Sequence, residues 1–328
     1  MKKIYRTELA GCPLTIELGQ IAQLANASVL VRYGDTVVLS TATASDTPRP
    51  GIEFFPLTVD YEEKAYAAGK FPGGFFRREG RPSENAILTA RAIDRPMRPL
   101  FPDDFRNDVV LSNIVMSADV DHQPEVMAMN GSALAATISD IPFDGPIASV
   151  QIAYVDDEFI LMPTEEERLA SDLDLLVSGN LDKIMMIEAG ANELPDDIML
   201  EAIEFAHEAI VDLCEFFQEI TDEVGQEKFT YESFETPKEY LDEAREFFGD
   251  RMKKTMDIQD SGERQNQLDA LHHELKDAWE DDEEKLRWTN AIMQTLQREL
   301  VRAGLREGRR VDGRGLDEIR PLHAEVDL

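Results

Sequence analysis

Residues 28–43 read SVLVRYGDTVVLSTAT, two runs rich in valine, leucine and threonine that flank the pair Gly34-Asp35. β-branched residues favour strands, and a Gly-Asp pair between two such runs is typical of a tight hairpin turn. The sequence therefore predicts a β-hairpin here. Residues 14–18 alternate apolar and polar side chains in the same way, which predicts that the chain begins with a β-sheet.

Strands and helices are mixed along the next part of the chain. Ser83 can cap a helix over residues 83–94, small apolar residues predict a helix over 125–138, and helical periodicity continues over 195–220. Further strands are expected at residues 109–117, 147–155, 159–162, 173–177 and 184–187. This mixture predicts an α+β fold.

Beyond residue 230 the pattern becomes helical only. Thr236-Pro237-Lys238-Glu239 has the N-cap, first-turn proline and glutamate of a capping box, which predicts the start of a helix. The adjacent His272 and His273 point in different directions on a helix and have no third ligand at helical spacing, so no metal site is expected. Large apolar residues form stripes that indicate a packed core: Leu268, Leu271, Leu275, Trp279, Trp288, Ile292, Leu296 and Leu300.

Composition predicts a folded protein of about two domains, since 43% of the residues are hydrophobic and 30% are charged. The net charge of −33 argues against a nucleic-acid partner unless positive charge is concentrated locally. Cys12 and Cys214 are isolated, which predicts neither a disulfide nor a zinc site and fits a reducing cytoplasm. No apolar run has transmembrane length, so no membrane partner is expected.

Positive charge is concentrated in residues 71–105, FPGGFFRREGRPSENAILTARAIDRPMRPLFPDDF. Gly73-Gly74 would place Phe75 and Phe76 at a loop tip. Guanidinium groups fit phosphate oxygens and aromatic rings stack on bases, so the segment predicts contacts with single-stranded RNA. Seven arginines lie in or next to it: Arg77, Arg78, Arg81, Arg91, Arg95, Arg98 and Arg106.

A structural role for these arginines is the alternative, because acidic residues lie close to them in the sequence and surface ion pairs are common. Arg91 and Arg95 should share a helical face, and Pro96 should end the helix, so that Arg98 points elsewhere. The acidic residues that could pair with the arginines are Glu79, Glu84, Asp94, Asp103 and Asp104.

The segment closely resembles the first ribonuclease-PH-like domain of bacterial polynucleotide phosphorylases, through FFRREGRPSE at residues 75–84 and ARAIDRPMRPLFP at 90–102. DGRG at 312–315 and RPL at 320–322 resemble the opening of that family's second domain. The resemblance covers essentially the whole chain. It implies a homotrimeric ring that threads single-stranded RNA, where inorganic phosphate releases nucleoside diphosphates from the 3′ end, with Mg²⁺ required by the full enzyme.

Residue roles follow from the same resemblance. Phe75, Phe76, Arg77 and Arg78 would form the channel constriction that grips RNA. Arg81, Arg91 and Arg95 would help to bind RNA or support the active site. Proteins of the RNA-degradation machinery would be further partners.

The family's serine-rich phosphate loop has no equivalent at residues 121–125, DHQPE, where two acids would repel phosphate. No catalytic residue is therefore expected in this segment, and Asn130-Gly131-Ser132 is interpreted as a packing position. Asp172 and Asp174 are two apart next to a strand and could bind magnesium, although aspartates at strand edges are commonly just solvated.

These observations predict a degenerate ribonuclease-PH-like domain at residues 1–222, a helical domain at 230–308, and the start of a truncated second ribonuclease-PH-like domain at 309–328, where PLHAEV echoes PLTIEL at residues 13–18. The expected function is phosphorolytic 3′-to-5′ RNA degradation, with this segment gripping RNA and inactive alone. Alternatives are a non-catalytic RNA-binding or assembly module, and a self-sufficient exoribonuclease. A serine-rich loop encoded beyond Leu328 would favour the phosphorolytic enzyme, and a stop codon there would favour the non-catalytic module.

Overall fold

A computed structural model describes residues 2–73, 75 and 77–326. The chain divides into two compact units, Met1–Phe234 and Glu235–Leu328. Among the described residues, none of the helices combines the length and the apolar character that crossing a membrane requires.

The first unit begins with a six-stranded sheet in the order β1-β2-β3-β4-β6-β5, antiparallel except for the parallel pair β5 and β6. The predicted hairpin forms, and Tyr33 is paired with Thr36 across its turn. Sequence patterns missed β1 and β5, because each lies at an edge where one side of the strand faces solvent and the apolar alternation is weak. The strands are β1 (Lys3–Leu9), β2 (Cys12–Leu18), β3 (Ala27–Tyr33), β4 (Thr36–Ala44), β5 (Leu57–Glu63) and β6 (Val109–Ser117).

A second, four-stranded antiparallel sheet has the order β10-β9-β7-β8. Its strands are β7 (Ala148–Val155), β8 (Glu158–Leu161), β9 (Leu173–Gly179) and β10 (Ile184–Ala191). A short helix, α3 (Glu165–Ala170), begins with a capping box between Thr164 and Glu167. It was missed because six residues are too few to show a helical period.

Helix α2 (Pro124–Ile138) is buried almost throughout and packs against strands of both sheets, which explains why its sequence is uniformly apolar and small. A side chain at Gly131 would place its Cβ 2.3 Å from Ser40 Oγ, so only glycine allows this close approach. The Asn130 amide exchanges two hydrogen bonds with the Ser149 backbone, and Ser132 Oγ donates to Asn113 Oδ1. The interpretation of Asn130-Gly131-Ser132 as a packing position is confirmed.

Helix α1 (Glu84–Met97) is capped by the Ser83 hydroxyl, as predicted, but it does not end before Pro96. Proline removes one N–H donor and crowds the carbonyl four residues earlier, yet the helical bonding resumes beyond it, since the Arg98 N–H donates to the Asp94 carbonyl. A 3₁₀ turn, Arg98–Leu100, follows directly. The helix thus extends two residues beyond Arg95, and the prediction that Pro96 ends it was wrong.

Lys228 closes the carboxyl end of α2. Its Nζ donates to the carbonyl oxygens of Ala136, Thr137 and Ser139 at 3.2, 2.8 and 2.6 Å. The last carbonyls of a helix have no partner within the helix, and a lysine nearby also interacts favourably with the helix dipole. Lys228 thus ties the segment after α4 (Asp196–Val224) to the central helix.

The second unit is built from three helices, α5 (Lys238–Met256), α6 (Ser261–Ala278) and α7 (Glu283–Arg306). The predicted apolar stripes form its core, with Trp288 and Leu300 partly buried. The capping box predicted at Thr236 is absent: α5 begins after Pro237, with no side-chain cap. Proline at the cap position fixes the extended backbone that precedes a helix, so the helix starts there and not one residue earlier.

Residues 321–326, whose sequence echoes the predicted strand near the start of the chain, form no strand and are exposed coil. A strand is stable only when neighbouring strands pair with its backbone, and no described strand lies beside this segment. The predicted α+β fold followed by helices is otherwise confirmed.

Candidate nucleic-acid interface

The loop before α1, residues 71–83 and here called the arginine loop, exposes two aromatic rings. Phe71 and Phe75 have relative accessibilities of 90% and 94%. Phe71 was not singled out from the sequence, although it begins the same motif. Gly74 and the predicted site residue Phe76 lie outside the described residues. The two described rings are placed where bases could stack on them.

Arg77, Arg78 and Arg81 are exposed in the arginine loop. Within the described part of the chain, none of the three forms an ion pair with a carboxylate. The neighbouring Glu79 instead accepts the backbone N–H of Ala65 through both carboxylate oxygens, at 3.2 and 3.4 Å. The loop therefore offers its guanidinium groups to solvent, ready to bind an anion.

Arg91 and Arg95 lie one turn apart on α1, both exposed, and line an open cleft of about 1050 Å³ between α1 and β5. Their placement on one helical face confirms the spacing argument. The cleft has mixed charge, since four carboxylates also line it, from Asp60, Glu62, Asp94 and Glu188.

The remaining two arginines, Arg98 and Arg106, bond to other residues of the fold. Arg98 bridges Asp94 at 2.6 Å and donates to the carbonyl oxygens of Phe55 and Leu57. Arg106 donates to the carbonyl oxygens of Asp103 and Phe105. The structural alternative therefore applies to Arg98 and Arg106. The five arginines predicted as RNA contacts form no such ion pair among the described residues, and their role stays a prediction.

Asp104, one of the acids that could have paired with an arginine, is used elsewhere. It accepts hydrogen bonds from the hydroxyls of Tyr231 and Ser233. Burial by itself would raise the pKa of the Asp104 carboxyl, but these bonds, with Arg106 nearby, hold that pKa below its ordinary value. Asp104 thus anchors the end of the first unit and does not neutralise the arginine loop.

Residues 121–125, the segment expected from the resemblance to correspond to the family's phosphate loop, are arranged around carboxylates. The Asp121 N–H donates to Asp119 Oδ1 at 3.0 Å, and Asp121 in turn accepts the N–H of Glu165. Burial, with repulsion from Glu63, raises the pKa of the Glu125 carboxyl, whose Oε2 has no partner among the described residues. The backbone N–H groups of Asp121 and Glu165, which could otherwise bind a phosphate, are therefore already bonded to carboxylates.

Asp172 and Asp174, the candidates for binding magnesium, each accept one hydrogen bond from a side-chain amide. Asp172 Oδ1 accepts from the Asn192 amide at 3.0 Å, and Asp174 Oδ1 accepts from the Gln151 amide at 2.7 Å. In the described residues no third acidic, histidine or cysteine side chain completes a cluster. Magnesium prefers six oxygen ligands in near-octahedral geometry and commonly keeps several waters among them, so a site at these two aspartates stays a prediction.

The helical unit carries an arginine stripe that sequence reasoning missed. Arg298, Arg302 and Arg306 recur every four residues on α7 and are exposed. Among the described residues these three have no ion pair, whereas Arg245 binds Glu299 and Arg251 binds Glu274. The four-residue spacing of these arginines indicates a positively charged helix face. The sequence interpretation considered only the apolar stripes of the same helices.

Comparison with known proteins supports the resemblance. Residues 12–142 match the model for the 3′ exoribonuclease family, domain 1, and residues 145–209 match domain 2 of that family. Residues 239–315 match the model for the polyribonucleotide nucleotidyltransferase RNA binding domain. The fold is similar to the crystal structure of rice (Oryza sativa) Rrp46, with a TM-score of 0.50 and 14% identity over 67% of this chain and 94% of that one.

Polyribonucleotide nucleotidyltransferases are similar to the chain over its whole length. That of Caldicellulosiruptor saccharolyticus is 52% identical over 99% of this chain, and that of Ruminiclostridium cellulolyticum is 50% identical over 100%. In both cases the match covers 47% of the relative, so the chain spans about half the length of these proteins. Three successive family models and this identity show that the chain belongs to the polyribonucleotide nucleotidyltransferase family.

Proposed function

We propose that this chain supplies the RNA grip of a phosphorolytic 3′-to-5′ exoribonuclease, which uses inorganic phosphate to release nucleoside diphosphates from single-stranded RNA. One observation carries the proposal. In a chain of net charge −33, five neighbouring arginines are exposed without a carboxylate partner among the described residues. Exposed cations beside exposed aromatic rings suit a ligand that has phosphates and bases. The five are Arg77, Arg78, Arg81, Arg91 and Arg95.

The arginine loop would bind RNA through two kinds of contact. Arg77 and Arg78 donate to phosphate oxygens, while Phe75 stacks on a base, and neither contact requires a particular sequence. Arg91 and Arg95 line the mixed-charge cleft. There they would attract a phosphate group that the neighbouring carboxylates repel. The role of Phe76 in the same grip stays a prediction.

The phosphorolytic chemistry would come from outside this chain. Residues 121–125 carry acids where phosphate would have to bind, and the amide of Asp121 is already bonded to Asp119. The Mg²⁺ of the whole enzyme would bind in its second domain, and a site at Asp172 and Asp174 stays a prediction. A non-catalytic RNA-binding or assembly module is a second candidate, favoured by the same lack of a phosphate site.

The remaining features of the whole protein follow as proposals from the family. They are a homotrimer, contacts with proteins of the RNA-degradation machinery, and a cytoplasmic location. We propose the domain limits 1–222, 230–308 and 309–328. The contact boundary after Phe234 and the family-model matches that end at 209 and begin at 239 support the first division.

Phe75→Ala is expected to lose on the order of 1–3 kcal/mol of affinity for single-stranded RNA, because a stacked base contributes about that much. Fluorescence anisotropy with a labelled oligoadenylate measures the change. Phe54→Ala is the matched control, since Phe54 is also exposed but lies outside the arginine loop. Equal affinities for the Phe75 variant and the unaltered chain would mean that the ring does not stack on RNA.

The arginine stripe on α7 predicts a second RNA contact. Replacing Arg298, Arg302 and Arg306 by alanine should make the slope of log binding constant against log salt concentration shallower by up to about 2. Each lost phosphate contact contributes about 0.7 to this slope. Arg245→Ala/Arg251→Ala is the control, because these arginines are already bound to Glu299 and Glu274. If both variants change the slope equally, the stripe has no special role.

A further inference from the structure

A relay of cysteine, histidine and aspartate lies beside the β1–β2 turn, away from the arginine loop in sequence. His122 Nε2 is 3.5 Å from Cys12 Sγ, and His122 Nδ1 is 2.7 Å from Asp119 Oδ2. When Nδ1–H donates to the carboxylate, Nε2 is left as an acceptor that faces the thiol. A nucleophile, a base and a group that orients the base are thus in contact, in the order used by thiol enzymes.

The histidine ring is fixed in this position. Its ring meets the Tyr33 ring edge-on, with centroids 4.9 Å apart, and its carbonyl accepts from the Thr36 hydroxyl. A Cβ at Gly34 would lie 2.5 Å from His122 Nδ1, so the glycine makes room for the ring. Orientation of the base is therefore part of the fold, as activation of a thiol requires.

Asp119 is suited to orient the ring as a carboxylate. The backbone N–H of Asp121 and the imidazole both bond to it, and these contacts hold the pKa of its carboxyl below the ordinary value. An ionised Asp119 stabilises the imidazolium that forms when His122 takes the thiol proton.

The two cysteines differ sharply in access. Cys12 is partly exposed at the start of β2, immediately after the turn at Ala10 and Gly11. Cys214 is fully buried, and burial raises the pKa of its thiol to about 12. Reactive cysteines are partly exposed and have a partner that accepts the proton, whereas buried cysteines are inert.

We propose that Cys12 is a reactive thiol that takes up soft electrophiles, with hydrogen peroxide as its oxidant. His122 accepts the thiol proton, and the thiolate sulfur attacks one peroxide oxygen. The O–O bond breaks as the S–O bond forms, and the leaving hydroxide takes the proton from His122 and departs as water. The products are a sulfenic acid, in which sulfur is oxidised by two electrons, and one water molecule.

The test is the rate of modification of each cysteine in the full native chain. Limiting N-ethylmaleimide, and separately hydrogen peroxide followed by dimedone, are quantified at each peptide by mass spectrometry. Cys12 should react at least about tenfold faster than free glutathione at pH 7, while Cys214 stays unmodified. A Cys12 rate no higher than that of glutathione would overturn the proposal.

Variants separate the relay from simple exposure. Asp119→Asn should slow the reaction of Cys12 by about tenfold without exposing Cys214, because the amide no longer fixes the ring with Nε2 as acceptor. Asp121→Asn should match the unaltered chain, because the carboxylate that it removes does not contact the ring. A general loosening of the fold would speed both thiols instead. Equal Cys12 rates in the Asp119→Asn and Asp121→Asn variants would overturn the role of Asp119.

Discussion

Replacing Arg77 and Arg78 together by alanine should weaken binding of single-stranded RNA by about 25-fold at 0.1 M salt. The slope of the logarithm of the binding constant against the logarithm of the salt concentration should become shallower by about 1.4. Both side chains are exposed and lack a carboxylate partner among the described residues, so each is available for one phosphate contact. Each lost contact removes about 0.7 from the slope for single strands. Anisotropy titrations of a labelled oligoadenylate at several salt concentrations measure both quantities.

The control must remove the same formal charge without touching the arginine loop. Arg32 and Arg49 fit this requirement, because each is exposed and paired with a carboxylate, Glu17 and Asp108 respectively. Arg32→Ala/Arg49→Ala should leave the slope nearly unchanged. If this control lowers the slope as much as the loop variant does, net charge alone governs RNA binding, and the loop is not the grip.

Lys228→Met should lower the free energy of unfolding by about 2–4 kcal/mol, a large share of the stability of a typical domain. The substitution keeps the aliphatic chain but leaves carbonyl oxygens of Ala136, Thr137 and Ser139 without the ammonium that now bonds to them. Hydrogen bonds to charged groups contribute more than neutral ones, and unsatisfied buried groups are costly. Urea unfolding followed by circular dichroism measures the change.

Lys3→Met is the matched control for Lys228→Met. Lys3 forms an exposed ion pair with Glu223, and such pairs contribute little, so its loss should change the free energy of unfolding by less than about 1 kcal/mol. Equal losses in the two variants would mean that Lys228 is an ordinary surface lysine and does not cap α2.

The parts of the fold that sequence patterns predicted are those in which one local signal dominates. The hairpin at Gly34-Asp35 and the cap at Ser83 are examples, since turn and cap chemistry act within a few residues. The edge strands β1 and β5 were missed because pairing with a neighbour, and not their own pattern, makes them strands. Residues 321–326 show the opposite case. They have the alternating pattern of a strand, but no described strand pairs with them, so they remain coil.

The candidate site was predictable as a region but not in its detail. Seven arginines stand out against an acidic chain, yet only the structure separates Arg98 and Arg106, which bond to other parts of the fold, from the five that form no ion pair among the described residues. That division depends on contacts with distant residues, such as the carbonyl of Phe55, which sequence spacing does not reveal. The relay of Cys12, His122 and Asp119 likewise joins residues far apart in the sequence.

The most direct test of the central claim is nucleoside diphosphate release from polyadenylate by this chain, with magnesium and phosphate present and RNA binding measured on the same sample. The chain should bind the RNA but release no nucleoside diphosphate, because acids and bonded amides occupy residues 121–125. Appreciable release would contradict the proposed division of roles, since phosphate would then be bound and activated within this chain.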